Sequence, residues 1–130
     1  MLAPLAVRTR YRWLITLAFI AFIVVLSLTP GLGRADDSVF SWLLFNTAKT
    51  VQKLMHVSVY AALAVLWMWT LEKVESKLLR IFLTLLLTVG LGVVLEVFQT
   101  RVPGRYGTFF DVLLNAIGAI AGLLLALLVL

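Results

Sequence analysis

The stretch EVFQTRVPGRYGTFFDVLLN, residues 96–115, places ionisable and amide side chains between two long apolar segments. It holds two carboxylates, two amides and two arginines. On insertion scales, an Asp or Arg at the centre of a membrane helix costs roughly 2.5 to 3.5 kcal/mol. Such groups are tolerated where they have charged or hydrogen-bonding partners or contact water. The stretch therefore predicts a polar site at one face of a membrane.

The apolar segments around this stretch determine the class of protein. The chain has 130 residues, of which 63% are hydrophobic, and its mean hydropathy is +1.11. A soluble domain is only about 45–50% apolar, and four runs here approach the ~20 residues that a membrane helix needs. Helices satisfy their backbone hydrogen bonds internally. We therefore predict an all-α integral membrane protein, a four-helix transmembrane bundle forming a single domain, 1–130.

The helices are predicted over residues 13–29, 51–71, 79–99 and 109–130. The first apolar run is longer than the core of a cleavable signal peptide, about 7–15 residues, which favours a retained helix. In the first loop, residues 40–45 form an apolar patch too short to span a bilayer. A short interfacial helix and a packed loop both fit that patch. The dipeptide Pro103-Gly104 predicts a tight turn between the last two helices.

Charge predicts the topology and excludes some functions. The chain has no cysteine, so disulfides and thiolate metal sites are excluded. The basic residues behind the net charge of +5 are scattered and belong to no nucleic-acid-binding module, so we expect no nucleic acid partner. Six of the 11 Lys and Arg residues lie in the N-terminus and the second loop. Because the N-terminal cluster usually sets orientation, we expect both termini in the cytoplasm.

Alternating helix directions bring the start of the second helix, the end of the third and the start of the fourth to one membrane face. The polar residues of these segments share helix faces by their i, i+3 and i, i+4 spacing. We predict that they form one ligand-binding site: Lys53, His56, Tyr60, Glu96, Gln99, Arg105, Asp111 and Asn115.

Glycines lie on two of these helix faces, and Glu96 and His56 are the candidates for catalysis. Gly92 lies one turn deeper than Glu96, while Gly118 and Gly122 let a neighbouring helix approach the fourth helix closely. Glu96 and His56 each lie a turn or more inside an apolar run, where an unpaired charge is disfavoured. They are the candidate catalytic residues, and an interior ion pair is the minimum that they require.

Other members of the set also have a purely structural interpretation. Asn115 fits a hydrogen bond across a helix interface, and Asp111 fits a helix cap or an ion pair with Arg105. Tyr60 fits a packed or interfacial ring. Lys53 fits a side chain that reaches the lipid head groups.

The order of these motifs resembles the pattern of the VanZ-like family. The motifs are Lys53-x-x-His56-x-x-x-Tyr60, Glu96-x-x-Gln99, Pro103-Gly104-Arg105 and Asp111-x-x-x-Asn115-x-x-Gly118. The chain departs from the pattern at Gln52, where family members often have an acidic residue. The resemblance implies a small protein of the bacterial cytoplasmic membrane with no established reaction. The family's namesake is linked to resistance to the lipoglycopeptide antibiotic teicoplanin, which implies a role in the cell envelope.

Three functions follow as hypotheses. In the first, Lys53 and Arg105 hold an anionic head group in the outer leaflet, from a membrane lipid, a lipid-linked envelope precursor or a lipoglycopeptide. In the second, His56 and Glu96 act as acid and base in a hydrolase or transferase for a lipid-linked substrate. The third is a structural subunit without a ligand. We favour the first and expect no cofactor. His56, Glu96 and Asp111 could hold a metal, but we expect none because a single histidine makes a poor zinc site.

Overall fold

Each long apolar run of the sequence forms a helix. The structure, a computed structural model, describes residues 2–28, 49–101 and 109–130. Its elements are α1 (Leu2–Leu28), α2 (Lys49–Thr70), a 3-10 turn (Leu71–Lys73), α3 (Lys77–Gln99) and α4 (Phe109–Val129). No strand occurs in these three ranges, which confirms the all-α prediction.

All four described helices are long and apolar enough to cross a membrane. The candidate spans are Arg8–Leu28, Lys53–Lys73, Lys77–Gln99 and Phe109–Val129. This confirms the prediction of a four-helix transmembrane bundle. The predicted interfacial helix at residues 40–45 and the turn at Pro103-Gly104 lie outside the described residues.

Three helices begin earlier than the hydropathy pattern predicts, and α2 does so by two residues, at Lys49. α1 begins at Leu2 rather than at Trp13. Pro4 does not interrupt it, because the first turn of a helix needs no intrahelical bond from the backbone N–H that proline lacks. α3 begins at Lys77 rather than at Leu79, because the hydroxyl of Ser76 accepts a hydrogen bond of 3.2 Å from the Leu79 N–H. Such an N-cap is worth about 1 kcal/mol.

α2 lies at the centre of the bundle and packs against α1, α3 and, most extensively, α4. The close contact with α4 depends on two glycines. A β-carbon on Gly118 would overlap the backbone of Val57, and one on Gly122 would overlap the backbone of Ala61. The rest of the inward face of α2 is apolar and buried: Leu63, Ala64, Trp67 and Met68.

At the end of α2 away from residue 53, polar contacts hold α1 against the turn that leads to α3. The Arg12 guanidinium forms an ion pair with Glu72, donates a hydrogen bond of 3.0 Å to the Trp69 carbonyl and lies over the Trp69 ring. Deeper in the bundle, the hydroxyls of Thr16 and Thr70 are 2.7 Å apart and fully enclosed. We call this region the latch end.

Candidate functional site

The opposite end of the bundle, where α2 begins, α3 ends and α4 begins, contains the polar residues of the three helices. We call it the site end. The three helices meet there directly. His56 of α2 is hydrogen-bonded to Asn115 of α4, and Gly92 of α3 lies against Asn115 and against Tyr60 of α2. Residues distant in sequence therefore meet in one cluster.

His56, Glu96 and Asp111 form the centre of this cluster. Each offers one donor atom, a ring nitrogen or a carboxylate oxygen, and these three atoms lie within 4.8 Å of one another. Glu96 is only 5% exposed, whereas His56 and Asp111 are partly buried. One residue comes from each of α2, α3 and α4, so the arrangement exists only in the assembled bundle.

Asn115 orients the imidazole. Its Oδ1 lies 3.1 Å from His56 Nδ1, and the residue is 1% exposed. In the tautomer protonated at Nδ1, the ring donates to this oxygen and keeps the lone pair of Nε2 for another partner. The amide nitrogen Nδ2 of Asn115 is buried and has no hydrogen-bond partner among the described residues.

Gly92 provides the space that the cluster occupies. A β-carbon at this position would lie 3.0 Å from Asn115 Nδ2 and 3.2 Å from Tyr60 Cε1, tighter than ordinary contacts. Tyr60 is 4% exposed and belongs to the apolar core that includes Leu63 and Leu95. The glycine thus lets α3 approach both the amide of Asn115 and the tyrosine ring.

Lys53 lies at the exposed rim of the site. It is one helical turn from His56, and its Nζ lies 4.8 Å from the centroid of the Phe110 ring. A cation over an aromatic face at an exposed position contributes roughly 0.5–1 kcal/mol. Lys53 therefore places a positive charge beside the first turn of α4. Sequence reasoning did not include Phe110, although its position before Asp111 could have suggested a rim residue.

Gln99 makes a contact that its spacing from Glu96 does not predict. The side chain is 6% exposed, and its Nε2 donates a hydrogen bond of 3.1 Å to the Ser27 carbonyl at the end of α1. The amide of Gln99 therefore ties α3 to α1. Of the predicted site residues, Arg105 lies outside the described residues, while the neighbouring Arg101 is exposed.

A polar stripe on α3 extends from the cluster toward the latch end. Thr84 and Thr88 are fully buried and precede Gly92 and Glu96 at intervals of four residues. Neither hydroxyl has a hydrogen-bond partner in the part of the chain that the structure describes. Sequence reasoning missed these threonines. Their i, i+4 spacing in register with Glu96 is the signal that could have identified them.

The electrostatics of the cluster are dominated by acceptors. Two ionised carboxylates within 4.8 Å repel each other by about 3 kcal/mol at an effective dielectric constant of ~20. Positive charge or a shared proton is needed to offset this repulsion. The arrangement can therefore hold a cation, transfer a proton, or accept hydrogen bonds from hydroxyl and amine groups.

Comparison with known proteins agrees with the motifs. The VanZ/LLP1 family model matches residues 13–130, almost the whole chain. No curated protein and no solved structure gives a significant match. The family match covers all three helices that meet at the site end, and it shows that the chain belongs to the VanZ/LLP1 family.

Proposed function

We propose that this membrane protein binds the head group of an anionic lipid at the site end, in the outer leaflet of a bacterial cytoplasmic membrane. One observation carries the proposal. An exposed cation, Lys53, lies one helical turn from a partly buried cluster of acceptors on three helices. That combination suits a ligand with a phosphate at the rim and hydroxyl groups deeper in the site.

In this proposal, Lys53 binds the lipid phosphate. Its ammonium is exposed and held beside the Phe110 ring, where a lipid phosphate can reach it without entering the bundle. A lysine near the membrane surface contributes about 1 kcal/mol of attraction to anionic lipid. Arg105, which lies between α3 and α4 in the sequence, is the second cation of this proposal.

The deeper groups recognise the rest of the head group. The carboxylates of Glu96 and Asp111 accept hydrogen bonds from hydroxyl or amine groups. These donors are present in phosphatidylglycerol and in sugars linked to a polyprenyl phosphate. The proposal therefore favours lipids that combine a phosphate with nearby hydroxyls over lipids that offer a phosphate alone.

The test is a comparison of lipids that remain bound during purification. The protein is purified from membranes containing phosphatidylglycerol, and the bound lipid is counted by native mass spectrometry. Lys53→Ala should reduce bound lipid about fivefold, the equivalent of ~1 kcal/mol. Lys73→Ala, an exposed lysine at the latch end, is the matched control and should retain wild-type binding. Equal lipid content in the two variants would contradict the proposal.

A link to antibiotic resistance requires a separate measurement, in which the chain is expressed in a teicoplanin-susceptible strain. If the site takes a lipoglycopeptide or a lipid-linked envelope precursor, the inhibitory concentration of teicoplanin should rise with the wild-type chain. It should stay at the baseline with Lys53→Ala at equal abundance. No rise with the wild-type chain would remove the resistance role and leave lipid binding as the function.

A second candidate is a hydrolase or transferase for a lipid-linked substrate. It is favoured by the approach of His56 to Glu96 and by the orientation of the imidazole through Asn115, as in general acid–base catalysis. Turnover of a labelled polyprenyl phosphate that disappears in a folded Glu96→Gln variant would support it. If every site variant instead loses stability and abundance together, the cluster has a structural role only.

A further inference from the structure

We propose that His56, Glu96 and Asp111 form a binding site for a divalent metal ion. The three candidate donor atoms lie within 4.8 Å of one another and come from three different helices. Protein ligands to one ion lie about 2.0–2.2 Å from the metal. Donor atoms around such an ion are therefore about 3–4 Å apart, so small side-chain movements bring the three to bonding distance.

A second observation concerns Asn115. A histidine that binds a metal has its other ring nitrogen held by a hydrogen-bonding partner, which fixes the tautomer and the ring orientation. The contact of 3.1 Å between Asn115 Oδ1 and His56 Nδ1 supplies such a partner. In the tautomer protonated at Nδ1, the lone pair of Nε2 is available to a metal. The Asn115 side chain is 1% exposed, and its Nδ2 has no partner in the described residues. The buried Asn115 amide therefore holds the imidazole in place, as the hydrogen-bonding partner of a metal-bound histidine does.

The charges of the three side chains also favour a bound cation. Two ionised carboxylates and a neutral imidazole carry a net charge of −2, which a divalent cation neutralises. Glu96 is only 5% exposed and lies among apolar helices, where burying a charge is costly. A bound cation stabilises both carboxylates in the ionised form and attracts the three helices to one centre.

The donor set selects the class of metal. One imidazole with two carboxylates is a poor set for Zn²⁺ but suits Mn²⁺, which accepts both nitrogen and oxygen, and is less suited to Ca²⁺, which prefers oxygen ligands only. Three protein ligands leave coordination positions open. If the proposed function is correct, a hydroxyl oxygen of the lipid head group takes one of these positions while the phosphate stays at Lys53; metal binding itself does not rest on that function.

The first test is a titration of the purified full-length protein in detergent, after removal of metals with EDTA and desalting. Free Mn²⁺ is followed by electron paramagnetic resonance. We expect a single Mn²⁺ per wild-type chain, with affinity reduced about tenfold or more in Asp111→Asn and in Asn115→Leu. Glu75→Gln, an exposed carboxylate near the latch end, is the matched control and should bind as the wild type does.

A second measurement needs no variant. The chain contains a single histidine, so its imidazole nitrogen resonances report on His56 alone. Added Mn²⁺ should broaden these imidazole nitrogen resonances beyond detection. Unchanged resonances, absent saturable binding, or equal loss in Glu75→Gln and Asp111→Asn would each overturn the metal site. A chain that retains lipid but fails these tests would leave the proposed function intact.

Discussion

The two ends of this bundle use charge in different ways. At the latch end, Arg12 meets Glu72 at the surface, where 59% of the glutamate side chain is exposed. At the site end, Glu96 and Asn115 are almost completely enclosed by three helices. An exposed pair can join two segments at little energetic cost, whereas enclosed polar groups require every helix to be in place. The contacts of Arg12 hold α1 in position at the latch end, whereas the enclosed polar groups are the reason why we propose the ligand at the site end.

The largest expected contrast between the ends is their accessibility from outside the cell. Arg101 follows α3 and Lys73 precedes it, so the helix should place them on opposite sides of the membrane. A membrane-impermeant maleimide should label Arg101→Cys in intact cells and Lys73→Cys only after permeabilisation. The wild-type chain is the control because it contains no cysteine. Labelling in the reverse order would invert the proposed orientation, and labelling of both in intact cells would contradict the transmembrane path of α3.

The next largest effect concerns the packing that supports the site end. Gly118→Val places side-chain atoms against the Val57 backbone, whose Cα lies 3.0 Å from the position of a β-carbon at residue 118. We expect a loss of about 3 kcal/mol in the free energy of unfolding. Unfolding by SDS, followed by circular dichroism, measures it. Ile117→Val, on the exposed face of the same helix, should change stability by less than ~1 kcal/mol. Similar stability of the two variants would show that α2 and α4 do not depend on this close contact.

A double-mutant cycle between His56 and Asn115 measures the enclosed contact itself. Unfolding free energies of His56→Leu, Asn115→Leu and the double variant should give a coupling energy of about 1 kcal/mol, as for hydrogen bonds between membrane helices. Because the pair is enclosed, the coupling should not change with ionic strength. Additive single effects would mean that Asn115 does not hold the imidazole.

A double-mutant cycle between Arg12 and Glu72 at the latch end should give the smallest coupling energy. The coupling between Arg12 and Glu72, measured with Arg12→Ala and Glu72→Ala, should be about 0.5 kcal/mol and should fall at high salt. Arg12→Ala alone should cost more than this coupling, because Arg12 also contacts the Trp69 carbonyl and ring. A latch-end coupling larger than that of His56 and Asn115 would reverse the comparison between the two ends.

Much of the fold could be predicted without coordinates because its causes are local in the chain. The length of each apolar run determines that it spans a bilayer, and this condition located all four described helices. The ends of helices were predicted less well, since capping is decided by single residues such as Ser76, whose hydroxyl accepts from the Leu79 N–H. The prediction that His56, Glu96 and Asp111 lie at one end followed from alternating helix directions alone.

The sequence by itself determined the number of helices, their directions and the set of polar residues that share one membrane face. Only the tertiary structure decided which of these residues touch. It directs Gln99 to Ser27 of α1, brings His56, Glu96 and Asp111 within 4.8 Å, and joins Arg12 to Glu72 across the bundle. The physical reason is that hydropathy sets the depth of a residue, whereas the rotation of each helix about its axis is set by packing, here by the fit of two glycines on α4 against the backbone of α2.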